Sequence, residues 1–122
     1  MLDHIGIRVA DYQRSKSFYE QALRPLGYAL RLEFDSEAAG FGVDGHPDFW
    51  IGRDGSGPGM AHVAFVSPDR ATVTAFYQAA LAAGGTDNGG PGLRPQYHPD
   101  YYAAFVLDPD GNNIEAVCHR PE

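Results

Sequence analysis

Two histidines and one glutamate are the residues of this chain best suited to chemistry. His4 and His62 occupy equivalent places in two similar segments that are 58 residues apart, and Glu115 lies near the C-terminus. Two imidazoles and a carboxylate suit a divalent first-row metal such as Fe, Mn, Zn or Ni, and they leave coordination positions open for a substrate. Taken singly, a strand histidine is more often hydrogen-bonded and a strand glutamate more often solvated, so a metal site is a hypothesis at this point.

An internal repeat makes the two histidines equivalent. The same shift pairs Asp11 with Asp69 and Phe18 with Phe76. Each copy opens with an alternating segment that is typical of a strand with one buried face. An aspartate that can cap a helix then follows, so we expect helices over about 12–23 and from Asp69 to about residue 83.

The remaining segments predict short strands separated by turns. In the first half we expect strands at 4–9, 28–34, 40–43 and 49–52. In the second half we expect them at 62–66, 103–107 and 114–118, with residues 86–100 forming a loop over a pocket. The order is therefore strand–helix–strand–strand–strand, twice. Aligning the last strands of the two halves places Trp50 at the position of Glu115.

Composition narrows the class of partner. The chain has 122 residues and a formal net charge of −7, which argues against nucleic acid or an anionic membrane surface as the main partner. Its one cysteine, Cys118, allows no internal disulfide, and a reducing compartment is the default. Its apolar runs are too short for a membrane helix, and its first residues do not resemble a secretory signal peptide, so we expect neither. We expect a cytoplasmic protein.

Three residues of the segment before Glu115 are further candidates for chemistry. His98 lies among tyrosines and is suited to general acid or base catalysis near a metal; the alternative is a histidine on a turn before Pro99. Tyr101 and Tyr102 are neighbours, so in a strand one faces the pocket and the other does not. For both tyrosines, packing is the alternative to catalysis.

Three other residues are candidates for a substrate pocket. Trp50 and Phe105 would supply apolar walls, although core packing explains them equally well. Arg94 would hold an anionic substrate group, although a loop arginine is usually solvated.

Four motifs give the chain a resemblance to a known family. DHIGIRV, FYEQAL, MAHVAF and LDPDGNNIEAV resemble the vicinal oxygen chelate superfamily, which includes glyoxalases, bleomycin-resistance proteins, fosfomycin thiol transferases and extradiol dioxygenases. The resemblance implies an α+β fold in which two tandem βαβββ units form a curved mixed sheet, a cup with the helices on its outer face. It implies a single domain over residues 1–122, with units at about 1–58 and 59–122. It also implies that His4, His62 and Glu115 are the metal ligands.

The resemblance implies two classes of function. The first is a metal-dependent enzyme, a glyoxalase-like lyase or isomerase or an extradiol-dioxygenase-like enzyme, that acts on two adjacent oxygens of a small substrate. Glu115, His98 and Tyr101 are then the candidate catalytic residues. The alternative is a bleomycin-resistance-type protein that sequesters a small aromatic compound without metal; Trp50, where glyoxalases have a fourth ligand, favours it. Small members of the family commonly dimerise with the metal site shared between chains, so we expect a homodimer.

Overall fold

The first half of the chain folds into one helix and a four-stranded sheet. The computed structural model describes residues 2–53 and 60–121. In chain order the elements are β1 (Ile5–Arg8), α1 (Tyr12–Ala22), β2 (Ala29–Phe34), β3 (Ala38–Gly42) and β4 (Phe49–Gly52). The strand order is β1-β4-β3-β2, in which β1 runs parallel to β4 and the other neighbours are antiparallel.

The second half repeats this arrangement. Its elements are β5 (His62–Val66), α2 (Arg70–Ala82), β6 (Thr86–Asp87), β7 (Gly92–Leu93), β8 (Tyr102–Leu107) and β9 (Asn113–Cys118). The order is β5-β9-β8-β6, with β5 parallel to β9 and β7 also paired with β8. The expected α+β fold with two tandem units is confirmed. Residues 86–100 are not purely a loop, because two short segments of their backbone pair with β8.

Local sequence sets the ends of both helices. Asp11 and Asp69 cap them, each accepting a hydrogen bond from the backbone N–H three residues later, as the repeat predicts. After α1 the chain makes a 3-10 turn at Arg24–Leu26 and leaves it through Gly27, whose φ of 85° lies in the left-handed region. In the described ranges neither helix is long and apolar enough to cross a membrane.

Each sheet has one face covered by the helices and one open face. In β4, Phe49 and Ile51 are each 1% exposed and belong to the core, whereas Trp50 between them points to the open face. The ring of Phe49 packs against Tyr19 of α1 at 4.9 Å and against Phe65 of β5 at 5.2 Å. The covered faces of the two halves therefore share one aromatic core.

The edge strands β1 and β5 lie side by side and run in opposite directions. Residues of β1 from Gly6 to Arg8 line a cavity with Met60 and Ala61. At the other end, His4 lines a cavity with Val66. His4 thus lies beside the end of β5 opposite to His62, and the four steps from His62 to Val66 span about 13 Å of strand.

Candidate metal centre and its surroundings

His62 is held in one orientation by the backbone. It opens β5 on the open face of the second sheet, and its Nδ1 lies 3.0 Å from the carbonyl oxygen of Asn113, its partner in β9. A carbonyl oxygen only accepts, so Nδ1 carries the hydrogen and donates it. In the neutral imidazole, Nε2 then carries a lone pair, which is the arrangement of a metal-binding histidine.

Glu115 lies opposite that lone pair. Its side chain is 2% exposed, and its Oε1 lies 3.1 Å from Nε2 of His62. Both atoms are acceptors when the imidazole is neutral and the carboxylate ionised, so a positive species must lie between them. It is either a shared proton or a metal ion. Ligand bonds of about 2.1 Å place neighbouring N and O ligands about 3 Å apart, so these two residues fit a divalent metal.

Tyr101 binds the other oxygen of the same carboxylate. Its hydroxyl donates to Oε2 of Glu115 at 2.5 Å. Burial, together with this hydrogen bond to Glu115, raises the pKa of Tyr101 to about 12. The hydroxyl therefore keeps its proton at neutral pH and remains a donor.

A cavity of about 330 Å³ opens beside this pair. It is lined by His62, Tyr97, Tyr101, Phe105, Asn113 and Glu115. Phe105 is paired with Glu115 in the β8–β9 ladder, and its ring stacks on that of His62 at 6.5 Å. The guanidinium of Arg94 lies 5.3 Å from the centre of the Phe105 ring, held by the carbonyls of Gly90 and Gly92. The walls are aromatic, with one anchored positive charge behind Phe105.

His98 is turned towards another histidine. Its Nδ1 accepts the backbone N–H of Asp100 at 3.1 Å, so in the neutral ring the hydrogen is on Nε2. That Nε2 donates to Nδ1 of His119 at 2.6 Å. The ring of Tyr101 lies 5.4 Å from His98 and 5.3 Å from His119. The histidine pair therefore borders the phenol that binds Glu115, and the described contacts of His98 do not include Glu115 itself.

His4 lies outside this group. Its Nδ1 is bonded to Asp3 at 2.7 Å, and Asp3 also pairs with His46 at 3.2 Å. The hydrogen bond with His4 lowers the pKa of Asp3. Among residues 2–53 and 60–121, no three His, Cys, Asp or Glu side chains converge in a way that could hold a metal. One protomer thus brings together two of the three candidate ligands.

Trp50 occupies the place in the first sheet that Glu115 occupies in the second. It is paired with Gly6 as Glu115 is paired with Ala64, and the two registers are related by the repeat. Its indole lies on Gly40, where an added Cβ would come within 2.7 Å of the ring, and it stacks on Phe34 with an interplanar angle of 11°. These two rings line a cavity of about 470 Å³.

Like His4 and Trp50, Tyr102 is a candidate that the structure does not bring to the cavity beside Glu115. It packs on the helix-covered face of β8, where the guanidinium of Arg70 lies 5.1 Å from its ring centre. Sequence reasoning missed the carbonyl of Asn113 and the ring of Tyr97, and it gave His119 no role at the site. The alternation of β9 is a signal for His119, since it places this residue on the face of Glu115, but a backbone carbonyl leaves no mark in the sequence.

Comparison with known proteins identifies the family of the chain. The family model described as Glyoxalase/Bleomycin resistance protein/Dioxygenase superfamily matches residues 1–116. No curated protein matches the chain significantly.

Solved structures agree with the family match. A glyoxalase/bleomycin resistance protein from Albidiferax ferrireducens T118 is 28% identical with a TM-score of 0.85, covering 98% of this chain and 99% of that one. A family enzyme from Burkholderia phytofirmans PsJN is 20% identical with a TM-score of 0.71 and covers 97% and 98%. The lactoylglutathione lyase from Agrobacterium tumefaciens is 17% identical with a TM-score of 0.69 and covers 97% and 92%. The last two likenesses show the fold alone.

Proposed function

Because the chain belongs to the Glyoxalase/Bleomycin resistance protein/Dioxygenase superfamily, we propose that it is a metal-dependent enzyme acting on a small substrate through two adjacent oxygens. The observation that carries the proposal is the pair formed by Nε2 of His62 and Oε1 of Glu115, 3.1 Å apart. Both residues line a cavity wide enough for a small molecule. Lyase or isomerase chemistry and ring-cleaving dioxygenation are the two reaction classes that we propose to test.

His62, Glu115 and a copy of His4 would hold the metal, which is Fe, Mn, Zn or Ni. A divalent metal there supplies Lewis-acid stabilisation of negative charge developing on the substrate oxygens. Asn113 fixes the imidazole of His62 through its carbonyl, and Tyr101 fixes the carboxylate of Glu115.

The surrounding residues would bind the substrate and move protons. The rings of Tyr97 and Phe105 would pack on its apolar part and exclude water, with the positive charge of Arg94 next to the Phe105 ring. Of the candidate catalytic residues, Glu115 would bind the metal, His98 would donate or accept a proton, and Tyr101 would act through its hydrogen bond to Glu115. For His98 the support is the hydrogen bond to His119, which gives its proton a second site next to the Tyr101 ring.

We further propose that His4 comes from a second copy of the chain. Within one protomer it lies beside the opposite end of β5 from His62, and it is 57% exposed. Apolar side chains are also exposed on the open sheet faces, among them Phe34 at 56% and Val66 at 76%. A homodimer that apposes open faces would cover such surface and complete the ligand set.

The first test is elemental analysis of the purified protein beside its His62→Ala variant. We expect near-stoichiometric metal in the parent and its loss in the variant, because one of the two converging ligands is gone. His46→Ala, which removes an exposed imidazole outside this cavity, is the matched control and should retain the metal. Iron or manganese would favour dioxygenase chemistry, and zinc or nickel would favour glyoxalase-like chemistry. Equal metal content in parent and His62→Ala would refute the proposal.

Mixing two inactive variants tests whether the site is shared. His4→Ala and His62→Ala dimers are purified separately, mixed, and allowed to exchange subunits. A shared site predicts that mixed dimers regain one intact site each, so about a quarter of all sites bind metal at full exchange. A site built within one protomer predicts no recovery. A monomeric mass by light scattering at micromolar concentration would also contradict the shared site.

Trp50 favours a second candidate function, the binding of a planar aromatic compound without metal. Its indole and the ring of Phe34 stack beside a cavity whose described lining residues offer carboxylates but no histidine or cysteine to a metal. Trp50 is the sole tryptophan of the chain, so its fluorescence reports this surface alone. Saturable quenching by an aromatic ligand in metal-stripped protein would support this function, and binding that depends on metal would contradict it.

A further inference from the structure

The two carboxylate oxygens of Glu115 have different partners. Oε1 faces His62 at 3.1 Å, and Oε2 accepts the hydroxyl of Tyr101 at 2.5 Å. The carboxylate is almost fully buried, so neither oxygen has water to replace a lost protein donor. The partner of each oxygen therefore determines the direction in which Glu115 points.

The backbone and the ring of Tyr101 are both held in place by neighbouring residues. Its carbonyl accepts the backbone N–H of Arg94 at 2.7 Å, and its own N–H donates to the carbonyl of His98 at 3.2 Å. Its ring is enclosed by Tyr97 at 4.9 Å, His98 at 5.4 Å and His119 at 5.3 Å. These backbone hydrogen bonds and ring contacts together hold the Tyr101 hydroxyl next to Glu115 of β9.

We propose that Tyr101 is a positioning residue that reserves one oxygen of Glu115 for the metal. This inference rests on the metal site of the proposed function. By donating a hydrogen bond to Oε2, the phenol keeps the carboxylate of Glu115 from rotating to offer both oxygens to the metal. It thereby holds Oε1 next to Nε2 of His62. Tyr101 acts through Glu115 and need not touch the substrate.

Two physical effects of removing the hydroxyl oppose each other, and they make the proposal falsifiable. Loss of a hydrogen-bond partner that orients a metal ligand, without itself touching the metal, typically weakens metal affinity by about 10-fold to 100-fold. Loss of a donor to the carboxylate also leaves more negative charge on Glu115, which tightens binding. The positioning role requires the first effect to dominate.

The experiment compares Tyr101→Phe with Tyr77→Phe and the parent. Both variants remove a tyrosine hydroxyl bonded to a carboxylate, but Tyr77 bonds Asp87 at 3.0 Å, outside the cavity. The dissociation constant of Zn²⁺ is measured by calorimetric titration of metal-stripped protein, since zinc binds sites of this ligand type tightly whatever their native metal. The absorption spectrum of bound Co²⁺ reports the coordination geometry, and circular dichroism checks folding.

We expect about 10-fold to 100-fold weaker Zn²⁺ binding and an altered Co²⁺ spectrum for Tyr101→Phe, and parental values for Tyr77→Phe. Unchanged or tighter binding by Tyr101→Phe would overturn the positioning role while the metal site stands. A parent protein that takes up no Zn²⁺ would overturn the proposed metal site, and the inference with it. If Tyr101→Phe fails to fold, infrared difference spectra of the parent decide the role: on Zn²⁺ binding, widely separated carboxylate stretching bands, as for coordination through one oxygen, support it. Closely spaced bands, as for coordination through both oxygens, overturn it.

Discussion

The hydrogen bond between Tyr19 and Asp108 connects the two halves of the chain, and its removal should cost measurable stability. Tyr19 lies on α1 and is fully buried, and its hydroxyl donates to Oδ2 of Asp108 at 2.5 Å. Asp108 in turn accepts the backbone N–H groups of Asp110 and Asn112 and the side-chain amide of Asn112. These bonds shape the turn that leads into β9 and so to Glu115.

Tyr19→Phe removes one donor from a buried carboxylate and keeps the ring. A hydrogen bond to a charged group contributes about 1.5–3 kcal/mol, so we expect a loss of about 2 kcal/mol in the free energy of unfolding. For a chain of this length that corresponds to a fall in Tm of roughly 8 °C. Urea unfolding and calorimetry at fixed protein concentration measure both quantities.

Tyr77→Phe is again the matched control, because its hydroxyl bonds a carboxylate that is exposed to water. Water replaces the lost donor there, so its stability should change by less than about 0.5 kcal/mol. The reasoning is refuted if Tyr19→Phe is no less stable than Tyr77→Phe. It is also refuted if Tyr19→Phe loses stability only through a changed denaturant slope, which would indicate an effect on the unfolded state.

Two further predictions concern packing and helix capping. Gly40→Ala places a Cβ 2.7–2.8 Å from indole atoms of Trp50, so the half-exposed ring should be displaced at a cost of about 1 kcal/mol, with a shift in tryptophan emission; an unchanged emission maximum would contradict the contact. The hydrogen bonds from Thr72 lower the pKa of Asp69 from 3.8, so this carboxylate stabilises the fold above pH 3.8 and the effect disappears as the pH falls through the lowered pKa. The Tm difference between parent and Asp69→Ala should therefore shrink between pH 6 and pH 3, and a difference that grows would contradict this sign.

Local sequence was sufficient for most of the elements. The strands Phe49–Gly52 and His62–Val66 have the predicted bounds, and both aspartate caps are where the repeat places them. The start of β3 was less predictable, because Asp35 and Ser36 both adopt positive φ in the tight turn before it. Turns with two such residues usually have glycine at the second position, and Ser36 stands there, so the sequence does not show the usual hairpin-turn pattern.

The candidate site was predictable in part. The equivalence of Trp50 and Glu115 follows from the repeat and from the period of two along a strand, and the structure has that register. The assignment of Tyr101 and Tyr102 to opposite faces also follows from alternation. The side that faces the cavity does not follow from alternation, because the groups that contact the two rings, His119 at Tyr101 and Arg70 at Tyr102, come from other segments of the chain.

The sequence by itself determined the repeat, the order of strands and helices and the chemical types available at the equivalent positions, since these depend on neighbours a few residues apart. Only the tertiary structure decided that His62, Glu115 and Tyr101 meet while His4 lies beside the far end of β5. The physical reason is that these contacts join segments far apart in the chain. Their distances depend on how β1 and β5 run past each other and on which face the helices cover, and neither property is local.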